Sequence, residues 1–121
     1  MEASITLKKV GKLIGDKTIL AGLSFGIERG SLVAIVGLND SGKSILLKLL
    51  SGYENPNYGQ VFVQGLDMEK RRSETRKLIG YVSYENDLDP WLTIKQNIRF
   101  NANLYSVNNL LPLSRFDNAF I

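Results

Sequence analysis

Cysteine and histidine are both missing from the 121 residues. Without cysteine there is no disulfide framework and no zinc knuckle, and a reducing compartment is compatible with the chain. Without histidine no step that needs an imidazole can be carried by it. Charge of one sign is also scarce: 15 Lys and Arg stand against 12 Asp and Glu, a net charge of +3. Nucleic-acid binding normally requires a clustered basic face, so no nucleic-acid partner is expected. Long hydrophobic runs are absent too. The longest, Leu32-Val33-Ala34-Ile35-Val36, falls far short of the roughly 20 residues that span a bilayer, so any membrane role must come through a partner. Met1-Glu2-Ala3-Ser4 offers no basic segment followed by an apolar one, and no signal peptide is expected. What remains, 44% hydrophobic and 22% charged, is the composition of an ordinary globular chain with room for one domain and a modest core.

The first third has the period of β-structure. Ile5, Leu7 and Lys9 alternate with Thr6, Lys8 and Val10, and Gly15-Asp16 offers a turn. Leu23, Phe25 and Ile27 alternate again before a second turn at Arg29-Gly30. Residues 32–36 are continuously apolar, the pattern of a strand covered on both faces in a parallel sheet. Leu46, Leu49 and Leu50 then fall at helical spacing, with Gly52 placed to end the helix. Asn55-Pro56-Asn57-Tyr58-Gly59 predicts a loop and Val61-Phe62-Val63 a short strand. Residues 69–77 predict a charged, solvated helix, and Ile79-Gly80-Tyr81-Val82 a buried strand. Thr93-Ile94-Lys95-Gln96 has capping-box spacing, and Ile94, Ile98 and Tyr105 share a face of the helix that follows. From Val107 onward no periodicity is visible, and the Asn101-Ala102-Asn103 and Asn108-Asn109 groups read as surface and loop.

One motif carries chemistry. Gly37-Leu38-Asn39-Asp40-Ser41-Gly42-Lys43-Ser44 matches G-x-x-x-x-G-K-[ST]. The glycines let the backbone curl so that successive N–H groups face a polyphosphate. A helix opening near Lys43 adds the partial positive charge of its N-terminus. Lys43 would reach the β/γ-phosphates and the Ser44 hydroxyl would ligate Mg²⁺. The motif follows an apolar strand and opens a Leu-rich helix, as that mechanism requires.

The surroundings extend the motif. Leu23-Ser24-Phe25-Gly26-Ile27, leading through Gly30 to the P-loop, resembles the N-terminal half of an ATP-binding cassette (ABC) ATPase. Pro56-Asn57-Tyr58-Gly59-Gln60-Val61 is similar to the family's P-x-x-G-x-V segment. Arg76-Lys77-Leu78-Ile79-Gly80-Tyr81-Val82 resembles the strand before its Q-loop, and Leu92-Thr93-Ile94-Lys95-Gln96-Asn97-Ile98 its L-T-V-x-E-N-L segment. Phe100 and Leu104-Tyr105 are closest to the branch serving drug- and polysaccharide-type exporters. The resemblance implies an α/β fold, a P-loop NTPase with an N-terminal antiparallel β subdomain and an incomplete parallel sheet with the P-loop helix. Residues 1–106 would be the N-terminal part of the ATPase domain and 107–121 an irregular tail, the domain being cut short.

It further implies an energy-coupling subunit of an exporter-type transporter at the cytoplasmic face of a membrane. Its partners would be a transmembrane permease and a second ATPase domain. Gly37, Leu38, Asn39, Asp40, Ser41, Gly42, Lys43, Ser44 and Ile45 would bind ATP, with Ser44 on Mg²⁺. Several positions depart from the pattern. Asp40 replaces the usual Gly, Ile14 stands where an aromatic ring stacks on adenine, and Tyr84 stands at the Q-loop glutamine. No LSGGQ-type signature, no aliphatic run ending in Asp-Glu and no switch histidine is present, so no catalytic residue is assigned and the chain is not expected to hydrolyse ATP alone. A catalytically inert nucleotide-binding module and a non-transport ABC protein remain alternatives. Lys70-Arg71-Arg72 with Arg76-Lys77 reads as a solvated helix face rather than an anion patch, and Trp91 either anchors its loop or meets a partner.

Overall fold

The computed structural model describes residues 3–82 and 88–104. Tyr84, Tyr105 and the tail expected from Val107 lie outside them. The chain divides into two compact units, Met1–Tyr81 and Val82–Ile121.

The first unit is built on a four-stranded antiparallel sheet of order β2-β1-β3-β4. β1 (Ala3–Ile14) and β2 (Lys17–Glu28) form a long hairpin closed by the Gly15-Asp16 turn, and β3 (Tyr58–Val63) adds to the other edge of β1. β4 (Leu66–Asp67) follows through Gln64-Gly65, both left-handed at φ 48° and 80°, the geometry of a two-residue hairpin turn. Alternation in β2 is as expected, with Leu23, Phe25 and Ile27 half-buried between exposed neighbours. In β1 it breaks. Lys9 adopts φ 48° and the register shifts between Leu7 and Val10, so Val10 rather than Lys9 takes the buried face. A bulge inserts one residue, which moves every later side chain to the other face.

Helix α1 (Lys43–Ser51) lays Leu46, Leu49 and Leu50 on this sheet, where they join Leu7, Val10, Leu20, Val61, Val63 and Met68 in one core. Each such side chain, fully buried, contributes about 1.5–3 kcal/mol. At its end Gly52 is left-handed at φ 84°. Its N–H donates to Leu49 O, and the Tyr53 N–H donates to Lys48 O, which is a Schellman cap.

The charged segment forms a shorter helix than its composition suggests, α2 (Arg72–Arg76), with Thr75 buried. Its arginines are structural. Arg72 Nη1 and Arg76 Nη2 donate to Gly52 O at 2.9 and 3.3 Å, Arg72 Nη2 also bonds Asn55 Oδ1, and Arg71 pairs with Glu74 at 2.9 Å. The guanidinium groups thus satisfy a carbonyl just past the negative end of α1.

Two expected strands are not formed. Residues 32–36 have no ladder partner among the described residues, and Leu32, Val33 and Val36 are exposed. The 79–82 segment is likewise unpaired. An apolar run encodes a strand only together with neighbours that cover it.

In the second unit α3 (Ile94–Leu104) opens with the expected capping box. The Thr93 N–H donates to Gln96 Oε1 at 2.8 Å and the Gln96 N–H to Thr93 Oγ1 at 3.2 Å. Asn101-Ala102-Asn103 is helical rather than loop, with Ala102 buried between two exposed asparagines.

Candidate nucleotide-binding site

The motif forms a loop between an approach at residues 31–36, which has no regular structure, and α1. Ser31 closes the turn behind the approach, its N–H and Oγ both donating to Glu28 O at 3.3 and 2.6 Å. Further along, the Ser41 N–H donates to Leu38 O at 3.2 Å while Asp40 and Gly42 turn left-handed at φ 62° and 92°. Gly42 is the N-cap, and no side chain caps the helix. A Cβ on Gly42 would lie 3.0 Å from Ile19 Cγ2 and 3.2 Å from Leu20 Cδ2, and at φ 92° any side chain would be strained, so glycine lets the loop rest closely on β2.

The first α-helical bond of α1 runs from the Leu46 N–H to Gly42 O at 2.9 Å. The N–H groups of Lys43, Ser44 and Ile45 therefore have no carbonyl within the helix to donate to. No acidic residue occupies the first turn, which leaves the positive end of the dipole unneutralised. The Lys43 ammonium folds back onto Gly37 O.

A cavity of about 670 Å³ opens at this point. Asn39, Asp40, Ser41, Gly42, Lys43, Ser44 and Ile45 line it; Gly37 and Leu38, also expected from the motif, do not, and Leu38 is exposed. Two lining residues were not foreseen: Lys17 and Ile19 of β2. No motif marks them, because they reach the loop only through folding of the β1–β2 hairpin. Ile19 is the extra residue between the pairs Lys12↔Leu20 and Leu13↔Thr18, a bulge of the kind that re-aims side chains beside a site. Ile14 is half-exposed at the end of β1 and is not part of the wall. Tyr84 lies outside the described residues.

Elsewhere, in the second unit, residues 89–93 are folded onto Asn97. Its Oδ1 accepts the Asp89 N–H at 2.9 Å, and its Nδ2 donates to the carbonyls of Asp89, Leu92 and Thr93 at 3.2, 3.3 and 3.0 Å. Trp91, in that segment, is 92% exposed, so its indole does not anchor the loop.

Known proteins resemble the chain in sequence and in fold. The family model described as ABC transporter matches residues 20–121. A protein of Chlorella vulgaris described as a probable sulfate/thiosulfate import ATP-binding protein is 33% identical over 112 residues, covering 93% of this chain and 47% of that protein. A probable multidrug ABC transporter ATP-binding protein of Escherichia coli is 30% identical over 122 residues, covering 98% of this chain and 21% of that protein. This chain thus spans about half the length, or less, of these relatives. Among solved structures, an ATP-binding subunit of an ABC transporter superposes with a TM-score of 0.78 at 25% identity, over 87% of this chain and 44% of that one. A bacterial Atm1-family ABC exporter with ATP bound gives 0.66 at 33% identity, over 73% and 16%. The fold class is α/β, that of P-loop cassettes.

Proposed function

The chain belongs to the ABC transporter family, and from that membership we propose that it is the ATP-binding, energy-coupling part of an exporter-type transporter, holding Mg-ATP on residues 37–45. One observation carries the reading. At a left-handed loop, the N–H groups of Lys43, Ser44 and Ile45 have no intrahelical acceptor and stand at the wall of a cavity beside an uncompensated helix N-terminus. Such an arrangement suits phosphate oxygens. The Lys43 ammonium would exchange Gly37 O for a phosphate oxygen, and Ser44, exposed at the start of α1, would offer its hydroxyl to the cation. Among the described residues no three His, Cys, Asp or Glu side chains converge. A Mg²⁺ ion here would take its other ligands from phosphate and water, as that ion commonly does. When bound, the ion would supply positive charge that offsets that of the phosphates.

Residues 1–106 would form the N-terminal part of the ATPase domain. Its partners would be a second such domain and a membrane permease, which places the chain at the cytoplasmic face of a membrane. No helix among the described residues is long and apolar enough to cross one. A solved relative described as a dimeric ATP-binding cassette bound to ADP and Pi supports the pairing. Exporter type is supported by Phe100 and the segment after it, by a Nod factor export protein of Burkholderia lata, 33% identical over 96 residues, and by the Atm1-family exporter structure.

Calorimetric titration of the folded chain with Mg-ATP, beside Lys43→Ala, tests the reading. Binding that the substitution removes supports it; a folded wild type that binds nothing overturns it. An inert nucleotide-binding module is the second reading, favoured by the Asp40 carboxylate on the cavity wall. It requires that the chain bind ATP without turnover even when joined by an intact cassette.

A further inference from the structure

Lys17 stands on the wall of the same cavity as Asp40 and Lys43, and these are its ionisable lining residues. We propose that Lys17 is a phosphate-binding residue, whose ammonium offsets the Asp40 carboxylate and lets this loop accept a polyphosphate. The inference rests on the polyphosphate reading of the loop and goes beyond it. The two charged side chains of the loop, the Asp40 carboxylate and the Lys43 ammonium, are opposite in sign and cancel. Only the backbone donors and a helix end of about half an elementary charge would then face a highly charged anion. Lys17 restores an excess of one positive charge, from a strand rather than from the loop.

Its position supports the role. Lys17 is the first residue of β2, its backbone fixed by pairing with Ile14 across the two-residue turn. Its side chain is exposed and carries no ion pair or hydrogen bond among the described residues, unlike Lys12, which is spent on Glu54 and Asn55. A lysine on a flexible stem, committed to nothing, on the wall of the same cavity can meet an anion without first breaking a contact.

The test is calorimetric titration of the full chain with Mg-ATP and, separately, with Mg-tripolyphosphate. The proteins are wild type, Lys17→Met, Asp40→Gly, the double variant and Lys43→Ala, each shown folded by circular dichroism. Loss of one charge-assisted phosphate contact should weaken both probes about tenfold in Lys17→Met. Asp40→Gly should tighten both, and the cost of Lys17→Met should shrink in that background, since the two sites are coupled. Binding of both probes unchanged in Lys17→Met, or a loss confined to ATP, overturns the proposal. So does a Lys17→Met cost that is the same with and without Asp40. If wild type binds neither probe, the polyphosphate reading itself falls. If binding depends on Lys43 but not on Lys17, only the present proposal falls.

Discussion

Gly59 and Asp40 both hold a left-handed backbone, at φ 85° and 62°, and differ in what surrounds them. Asp40 is exposed on the loop, where its short polar side chain tolerates the conformation. Gly59 lies against the bulge in β1, and a Cβ there would run into the Lys9 carbonyl. The P-x-x-G-x-V segment thus needs its glycine because two backbones approach too closely for any side chain. Gly59→Ala combines left-handed strain with a collision against backbone and should cost roughly 2–4 kcal/mol. Urea denaturation followed by circular dichroism would read this as a lower midpoint with an unchanged slope; a midpoint like that of wild type would mean that β3 does not pack on Lys9 this way. The glycine was legible in the sequence as a motif position. Its reason was not, because the bulge at Lys9 has no local signature: Lys9 occupies a place in the alternating pattern that the fold gives to Val10.

Ends encoded within a few residues are legible in the sequence, whereas the strands expected at residues 32–36 and 79–82, which need distant partners, are not formed. The capping box of α3 and the Gly52 end of α1 each lie within a few residues of sequence. The role of Arg72 and Arg76 could not be read that way, since their acceptor lies about twenty residues back, with separations of 20 and 24 positions. Arg72 bridges Gly52 O and Asn55 Oδ1 with two arms of one guanidinium. Arg72→Ala should therefore lower stability by about 1–2 kcal/mol. Arg72→Lys should recover little of it, because an ammonium does not reproduce the fork. Equal stability of all three proteins in thermal melts would show that Arg76 alone suffices. The segment of residues 89–93 makes the opposite case. Held by Asn97 yet presenting Trp91 to solvent, it should lose almost no stability in Trp91→Ala, within about 0.5 kcal/mol as for ordinary surface positions. If the exposed indole meets the proposed permease, the same substitution should reduce co-purification with it severalfold. A large drop in melting temperature would instead return the indole to a structural role.

At the scale of the molecule, the cavity-lining loop is coherent while the approach to it is bare. Leu32 and Val36 are 102 and 90% exposed, in a run whose pattern calls for cover on both faces. Such a pattern can be read from sequence because it states that neighbours exist; it does not say where in a polypeptide they lie. Among the described residues none pairs with it; Ile35 packs against the core, while Leu32, Val33 and Val36 face solvent beside backbone without ladder partners. Surfaces of that kind template strand pairing between molecules. The purified chain should therefore self-associate, with a weight-average sedimentation coefficient that rises across the micromolar range. Val36→Lys should flatten that dependence, because a charge on the run opposes edge-to-edge pairing. As Val36 is not among the cavity-lining residues, the substitution should leave Mg-ATP binding in place. A wild-type chain that sediments as a monomer at every concentration would show that the 32–38 segment is covered in solution.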